Sequence, residues 1–452
     1  MTEQVSYTQL KGHRGGVRLW IEGSKLSTAG FKREARYNRV INGDEIHLTL
    51  ATNGEFKVSG RSRNGVDIPI IDMSLGRHKD FPEGTRIRAV FSGGHIHISI
   101  HHEDAAQKAR EERFVANAAE GQLTEGSACT GGGISTAAVH MAVGDAGFNS
   151  RVAWVVDTEI KYLQSAYAQN FAITDETVCF EARLEELDPH LLSPVDIFSF
   201  SLPCAGFSRS GTSKHGLSPE EHESGVSLFG LMSMIRAANP AVLFSENVRE
   251  AQGSPMYILM QQELIRRGYR IVEAVLDNSH TGTFENRQRY WFMAISNGLP
   301  AELLADVFKM EPARKYHKLA DLLDAEVPDD VWADNQYLKD KQVRDQAAGK
   351  GFATRQLLSG SESKVGTIGR FYHKRRSTEP FVVNAEGKER LLSVAEHARC
   401  KSIPEVLVAK CNMTTGHEIL GQSVDFEQAL QPMYRLMVAV RRWLGMDLAE
   451  AV

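Results

Sequence analysis

The first hundred residues alternate between apolar and polar positions with a period of two. The stretches INGDEIHLTL (41–50) and FSGGHIHISI (91–100) combine this alternation with a glycine-containing turn. Such a pattern predicts two half-buried β-strands joined as a hairpin. We therefore expect a mostly β module over residues 1–102. A helical connector is expected over residues 103–120, where Ala, Glu, Lys and Arg predominate.

The N-terminal module (residues 1–102) contains an internal repeat with an offset of fifty residues. The matching positions are Phe31 and Phe81, Arg36 and Arg86, Val40 and Val90, Gly43 and Gly93, Ile46 and Ile96, His47 and His97, Leu48 and Ile98, and Leu50 and Ile100. The repeat indicates a duplicated hairpin, and two hairpins can close one small barrel. The segment RLWIEGSKLSTAGF and its hairpin resemble the swapped-hairpin modules of SymE-like and AbrB-like proteins. We expect the module to bind DNA, to regulate the chain or to mediate dimerisation.

From Gln122 onwards, apolar runs alternate with helical stretches. Strand-like runs occur at 152–156, 196–202, 242–246, 271–276 and 289–295, and a glycine-rich turn occupies 126–133. Strands that alternate with helices predict a mostly parallel sheet with crossover helices. The sequence therefore predicts an α/β domain over residues 121–298.

Charge is distributed unevenly along the chain. Residues 1–102 contain 15 Lys and Arg against 10 Asp and Glu, whereas the whole chain has a net charge of −5. A basic segment on an acidic chain fits either nucleic-acid binding or an ordinary solvated surface. No apolar run approaches the roughly 20 residues that span a bilayer, and the start lacks the apolar core of a signal peptide. We expect a cytoplasmic protein without membrane contact.

Cysteine and histidine positions do not predict a metal site. The five cysteines are widely spaced and form no CxxC pair, which argues against zinc ligation and a disulfide framework. His47 and His97 recur in the repeat, but alternation along a strand gives them ordinary surface roles. Metal binding by the histidines at 95, 97, 101 and 102 is the weaker interpretation of this pattern, so we expect no metal.

A nucleophile and an acid follow two of the predicted strands. Cys204 comes after Pro203 on a Gly/Ser-rich loop beyond the strand at 196–202, and Glu246 ends the strand at 242–246. A right-handed crossover brings both strand ends to the same edge of the sheet, where ligands bind. We therefore expect the Cys204 thiol and the Glu246 carboxyl to share one cavity.

Five motifs occur in an order that is typical of one enzyme family. They are PCAGFS (203–208), ENV (246–248), HTGTFENRQRYWFMA (280–294), RLLSVAEHARCKSIPE (390–405) and ILGQSVDFEQAL (419–430). In these motifs the chain resembles the DNA (cytosine-5-)-methyltransferases. The resemblance implies a Rossmann-like sheet with helices on both faces, S-adenosylmethionine as cofactor and double-stranded DNA as substrate. It also implies a target-recognition region over 299–385, a C-terminal return to the catalytic domain over 386–452, and a bacterial, phage or plasmid restriction-modification context.

The resemblance assigns catalytic roles to four residues. Cys204 would add to C6 of a flipped-out cytosine, and Glu246 would relieve the resulting charge at N3. Arg289 would hold the cytosine O2, and Arg287 would brace the same loop. Asn247 matches the residue that keeps the nucleophile loop in shape.

Cofactor contacts are implied at three places in the chain. The glycine-rich turn supplies Thr130, Gly131, Gly132 and Gly133; Asp157 would bind the ribose hydroxyls; Pro203, Gln422 and Ser423 complete the set. The sequence departs from the family pattern at the turn, where Ala128 or Cys129 replaces the usual aromatic residue. Arg183 also falls where an aspartate usually meets adenine, so the adenine contacts are expected to differ.

DNA contacts are implied in the nucleophile loop and in the variable region. Ser208 matches a phosphate-contacting serine, and Arg370, Lys374, Arg375 and Arg376 interleave with two aromatic residues in a way that suits phosphate and base contacts. Two alternatives stay open. One is an RNA cytosine C5 methyltransferase, and the other is a catalytically weak regulator that binds DNA and cofactor. The oligomeric state and the recognised site do not follow from the sequence.

Overall fold

The computed structural model describes residues 3–13, 15–204, 207, 223–349 and 355–446. The chain divides into two compact units, Met1–Ala109 and Arg110–Val452, called the N-terminal and C-terminal units below. Within the described residues, no helix is both long enough and apolar enough to cross a membrane.

The described part of the N-terminal unit contains ten strands and a short helix. The strands are β1 (Gln4–Gln9), β2 (Lys11–His13), β3 (Gly16–Glu22), β4 (Arg36–Asn42), β5 (Glu45–Leu50), β6 (Phe56–Lys57), β7 (Ser59–Arg63), β8 (Val66–Gly76), β9 (Arg86–Ser92) and β10 (His95–Ile100), and the helix is α1 (Ser24–Thr28). One sheet has the order β1-β9-β10-β5-β4-β6, and the other has the order β2-β3-β8-β7. A longer helix, α2 (His102–Ala119), covers the stretch for which the composition predicts a connector.

Strand pairing in the N-terminal unit follows the internal repeat. His47 of β5 lies opposite His97 of β10, and Ile21 of β3 lies opposite Ile71 of β8. Partners that are fifty residues apart in two separate ladders relate the repeats by an approximate two-fold axis. The two hairpins, β4–β5 and β9–β10, lie side by side in one sheet. The described strands form two sheets, in one of which β3 and β8 pair with each other across the axis, and the inward residues of both sheets share one core.

The described part of the C-terminal unit alternates strands and helices. Its strands are β11 (Gln122–Ala128), β12 (Asn149–Asp157), β13 (Val178–Glu181), β14 (Ile197–Phe200), β15 (Val242–Val248), β16 (Tyr269–Leu276), β17 (Arg289–Ser296), β18 (Gln356–Leu358), β19 (Pro380–Val383) and β20 (Glu389–Arg390). Its helices are α3 (Ile134–Asp145), α4 (Ile160–Gln169), α5 (Ser227–Ala238), α6 (Pro255–Arg266), α7 (Asn278–Thr281), α8 (Gln336–Ala347), α9 (Val394–Cys400), α10 (Met413–Gln422) and α11 (Phe426–Trp443).

Seven of these strands form the central sheet in the order β13-β12-β11-β14-β15-β17-β16. All neighbours pair in parallel except around β17, which runs antiparallel to both β15 and β16. Side chains of β17 alternate between two cores, with Trp291 and Met293 in one and Tyr290 and Phe292 in the other. Helices therefore cover both faces, which confirms the predicted α/β class and Rossmann-like sheet.

Capping residues define the two helices that carry the last sequence motif. Helix α10 begins after Asn412, whose side chain accepts a hydrogen bond from the Thr415 amide. Helix α11 begins after Asp425, whose carboxylate accepts hydrogen bonds from the amides of Glu427 and Gln428. Side-chain caps satisfy amides that have no partner inside a helix. The short turn between the helices thereby holds Gln422 and Ser423 at a defined place.

The variable region after β17 has a small core around a three-stranded sheet, β18-β19-β20. Leu319, Leu358 and Ile368 of this region are buried together with Phe284 and Cys400, which lie outside the predicted limits of 299–385. The region therefore packs on residues of the catalytic motifs, and its limits as a domain stay a prediction.

Candidate active site

A cavity of about 670 Å³ opens at the carboxyl edge of the central sheet. The segments that follow β11, β12, β13, β14 and β15 line it, and the late turn at 422–424 closes part of the wall. Strand order reverses between β11 and β14, and the crevice at such a switch point is where open α/β sheets bind ligands. Predicted site residues in the lining are Thr130, Gly131, Gly132, Asp157, Pro203, Cys204, Glu246, Arg287, Arg289, Arg370, Gln422 and Ser423.

Cys204 lies four residues beyond the end of β14 and is exposed to this cavity. The strand end is held by Asn247, whose Nδ2 donates to the Leu202 carbonyl and to the Tyr257 hydroxyl, both at 2.9 Å. Surrounding protein raises the pKa of the Cys204 thiol by desolvation, and the Glu246 carboxylate adds to this rise. The positive charges of Arg289 and Arg287 oppose it, because they favour the thiolate.

Glu246 and Arg289 form a buried ion pair at the edge of the cavity. Nε of Arg289 lies 2.8 Å from Oε1 of Glu246, and the Ser201 hydroxyl donates to Oε2 at 3.3 Å. The pair arises because the antiparallel strand β17 starts where β15 ends, with Arg289 opposite Val248. Burial lowers the pKa of Arg289 to about 10, and Arg287 contributes to this decrease. The guanidinium therefore stays charged near neutral pH.

Arg287 is buried behind this pair. Its Nη1 lies 3.4 Å from Oε1 of Glu285, and its Nη2 donates to the Gly421 carbonyl at 3.4 Å. Lys401 reaches the other oxygen of Glu285 at 3.4 Å and donates to the Ser423 carbonyl at 3.1 Å. Complete burial lowers the pKa of Lys401 to about 7. Arg287 thus belongs to a charged network that joins β17 to the turn before α11.

Asp157 connects the glycine-rich turn to β12. The Gly131 amide donates to Oδ2 at 2.7 Å, and the Glu159 amide donates to Oδ1 at 3.0 Å. Burial raises the pKa of Asp157, whereas these amide bonds lower it. Gly131 has a φ of +55°, a conformation that glycine adopts readily. Gly133 starts helix α3 with a φ of +76°, and it is not among the lining residues that the structure describes.

Close packing shapes the rest of the turn. A Cβ on Gly132 would lie 2.4 Å from Cγ2 of Ile419, so this position accepts no side chain unless the Ile419 side chain moves. The amide nitrogen of Gln422 lies 3.6 Å from the Cβ position of Gly131. The structure therefore brings the early turn and the late motif together on one wall of the cavity.

Sequence reasoning missed Glu185, which lines the cavity after β13. Its Oε1 lies 2.7 Å from Nε of Arg183, whereas its Oε2 is buried without a hydrogen-bond partner among the described residues. The signal in the sequence was Arg183, which follows the end of β13 and lies two residues before Glu185. A buried carboxylate oxygen without a partner can accept a hydrogen bond from an amino group of a ligand. Arg183 cannot do this, because a guanidinium only donates.

Of the predicted DNA-contacting residues, one lines the cavity and two are exposed on the surface. Arg370 lines the cavity, with Nη2 3.4 Å from Oε1 of Glu159. Lys374 and Arg376 are exposed, and each lies over the Phe371 ring at 4.7 Å. Arg375 donates to the Glu389 carbonyl at 3.3 Å. Ser208 lies outside the described residues.

The cavity fits an adenosine cofactor. Its volume falls within the 300–1,000 Å³ that is usual for small-molecule sites. The Asp157 carboxylate suits ribose hydroxyls, and the free oxygen of Glu185 suits the amino group of adenine.

Solved structures with the same fold are methyltransferases. Schizosaccharomyces pombe Dnmt2 aligns with a TM-score of 0.55 and 15% identity over 72% of this chain and 100% of that chain. Entamoeba histolytica EhMeth aligns with a TM-score of 0.57 and 15% identity over 71% of this chain and 99% of that one. These likenesses show that the chain shares the Rossmann-like fold of the two solved structures.

Residues 132–429 match the family described as C-5 cytosine-specific DNA methylase. A relative, the type II methyltransferase M.MspI of Moraxella sp., is 25% identical over 234 residues, which are 51% of this chain and 53% of M.MspI. The chain thus spans about half the length of this curated relative. The chain belongs to the C-5 cytosine-specific DNA methylase family, which confirms the resemblance seen in its motifs.

Proposed function

We propose that this chain methylates C5 of a flipped-out cytosine in double-stranded DNA through a covalent adduct of Cys204 with C6 of the ring. The observation that carries the proposal is that Cys204, Glu246 and Arg289 line the same cavity as Asp157 and the glycine-rich turn. The family description and the type II methyltransferase relative favour DNA over RNA as the substrate.

Cys204 provides the nucleophile that the reaction needs, because C5 of cytosine is itself a poor nucleophile. Addition of Sγ to C6 breaks the C5–C6 double bond and makes C5 electron-rich. The raised pKa of Cys204 keeps the resting thiol mostly protonated, and Arg289 and Arg287 stabilise the thiolate as it forms.

Glu246 and Arg289 hold the cytosine during addition. The proton that the Cys204 thiol gives up passes to the Glu246 carboxylate, and the resulting carboxyl group donates it to N3, which relieves the negative charge that develops on the ring. Arg289 donates to O2, and its 2.8 Å contact with Glu246 fixes both groups in one orientation. S-adenosylmethionine, when bound, supplies the electrophilic methyl group. Loss of the C5 proton to a base then expels the Cys204 thiolate and restores the aromatic ring.

The residues proposed to hold the cofactor surround the switch point of the sheet. Asp157 binds the ribose hydroxyls, and the turn Thr130–Gly133 lets its backbone approach the ligand closely. Pro203, Gln422 and Ser423 form the wall next to the reacting base. We add Glu185 to this set as the acceptor for the adenine amino group.

Contacts with DNA are proposed at the edges of the cavity. A base within a duplex is not accessible to Cys204, so the nucleotide has to be flipped out of the stack. Lys374 and Arg376 are exposed cations and are proposed, with Arg375 and Ser208, to contact the DNA backbone. The N-terminal module is proposed to add phosphate contacts or to regulate the enzyme.

Mechanism-based trapping tests the proposal. Fluorine at C5 cannot leave as a proton, so duplex DNA with 5-fluorocytosine at target sites should retain the enzyme covalently when S-adenosylmethionine is present. We expect a denaturation-resistant complex with the wild-type chain and none with Cys204→Ser. An equal yield with both proteins would disprove the nucleophile assignment. Trapping on fluorinated tRNA but not on duplex DNA would identify RNA as the substrate.

A further inference from the structure

Three metal-ligating side chains meet on the outer surface of the six-stranded sheet. Glu45 and His47 are two residues apart on β5 and therefore point to the same face, and His97 lies opposite His47 on β10. One ligand atom from each of the three side chains lies within 4.8 Å of the others. All three residues belong to the N-terminal unit, far in sequence from the methyltransferase motifs.

Both histidines lie close to the Glu45 carboxylate, each next to a different oxygen of it. Nε2 of His47 lies 3.4 Å from Oε2 of Glu45, and Nε2 of His97 lies 3.4 Å from Oε1. Nitrogen and oxygen ligands bound to zinc at about 2.0–2.1 Å in a tetrahedron lie about 3.3–3.4 Å from each other. At this separation His47 also makes a weak hydrogen bond with Glu45.

Two further observations favour a ligand for this group. Nε2 of His97 is buried and has no hydrogen-bond partner among the described residues. The two imidazole rings stack face to face, with their centroids 4.4 Å apart and their planes 15° apart, which brings both rings beside the Glu45 carboxylate. Without a cation between them, a buried polar nitrogen stays unsatisfied, which has a cost in free energy.

The internal repeat explains how such a site arises. Residues that lie on the two-fold axis meet their own copies, so one histidine per repeat gives a pair of imidazoles. The position equivalent to Glu45 is His95 in the second repeat, so the site has a single carboxylate. Sequence alternation alone cannot show this grouping, because it does not reveal which strands are neighbours.

We propose that Glu45, His47 and His97 bind a divalent transition-metal ion of the zinc type on the N-terminal module. Imidazole and carboxylate are typical zinc ligands, and three protein ligands leave a position for water or a fourth partner. The ion joins β5 of the first repeat to β10 of the second and thereby stabilises their pairing. This proposal replaces the expectation of no metal, and it is independent of the proposed methyltransferase activity.

Zinc titration of the tag-free full-length chain, in competition with a chelator of known affinity, tests the site. We compare wild type with His47→Gln, His97→Gln and Glu45→Gln; the last is nearly isosteric and leaves the fold undisturbed. His102→Gln serves as the matched control, because His102 is exposed in the same unit but lies outside the group. Loss of even an outer partner of a metal ligand costs about 10- to 100-fold in affinity.

We expect each of the three variants to lower the affinity for one zinc equivalent at least about tenfold, whereas His102→Gln binds like wild type. Zinc should also raise the thermal midpoint of the wild type but not of the variants, because a ligand that binds only the folded state stabilises it. Equal zinc binding by wild type and the three variants would overturn the proposal. Loss of binding in His102→Gln as well would also overturn it, since uptake would then not depend on this group.

Discussion

The two units build their functional groups in opposite ways. In the N-terminal unit, a repeat of fifty residues places equal residues opposite each other, as His47 and His97 show. In the C-terminal unit, no such symmetry operates within the central sheet, and Cys204, Asp157, Glu246 and Arg289 come from the ends of four different strands. Duplication produces pairs of identical side chains, whereas a switch point in a parallel sheet brings together side chains of different chemistry. Methyl transfer needs side chains of different chemistry, because a nucleophile and a proton donor have separate roles in it.

The largest expected effect tests whether Cys204 of the C-terminal unit is the nucleophile of methyl transfer. Cys204→Ser should lower the methyl transfer rate by on the order of 1000-fold or more, because an alcohol is far less acidic than a thiol and cannot replace it as nucleophile. The measurement is transfer of labelled methyl groups to duplex DNA, with unchanged circular dichroism as the folding control. Residual activity close to wild type would mean that another group attacks the base.

The next change tests where one unit ends and the other begins within helix α2. Phe114 is fully buried in the core of the C-terminal unit, so Phe114→Ala should lower the free energy of unfolding by about 3–5 kcal/mol. Glu112→Ala, at an exposed position of the same helix, is the control and should cost little. Denaturant unfolding measures both. A small effect of Phe114→Ala would move the boundary beyond residue 114.

A smaller effect is expected at the ribose site. Asp157→Ala should weaken S-adenosylmethionine binding by about 10- to 100-fold, because the variant lacks the carboxylate that accepts hydrogen bonds from both ribose hydroxyls. DNA binding should change much less. Calorimetry with cofactor and a separate DNA-binding assay distinguish the two, and unchanged cofactor affinity would place the ribose elsewhere in the cavity.

The smallest effect concerns the N-terminal module. A chain that starts near residue 103 should fold and still methylate short duplexes, because the helix residues that pack into the C-terminal unit, such as Arg110 and Phe114, are retained. If the module contacts phosphates, its removal should reduce the salt dependence of DNA affinity by about 0.9 units of slope per contact. Equal slopes would exclude a phosphate-binding role and would favour oligomerisation or a protein partner.

The sequence predicts the α/β sheet and both hairpins because their periodicity is local. The strands at 152–156 and 242–246 lie within β12 and β15, since buried parallel strands are apolar throughout. Ordered motifs also predict which residues line the cavity, as Asp157 and Ser423 do. Three features depend on pairing that spacing does not encode: the neighbour relation of β5 and β10, the cavity position of Arg370, and the free oxygen of Glu185.

The reversed strand β17 has a consequence for how the catalytic unit tolerates change. Seven consecutive residue pairs join β15 to β17, from Val242 and Ile295 to Val248 and Arg289. The spacing between Glu246 and Arg289 is therefore set by this ladder and not by the length of the loop that leads into β17. Insertions elsewhere in that loop would leave the pair intact, whereas a slip of one residue in the ladder would turn Arg289 to the opposite face of the sheet. Among the described residues Cys204 belongs to no strand ladder, and Asn247 holds the chain two residues before it through the Leu202 carbonyl.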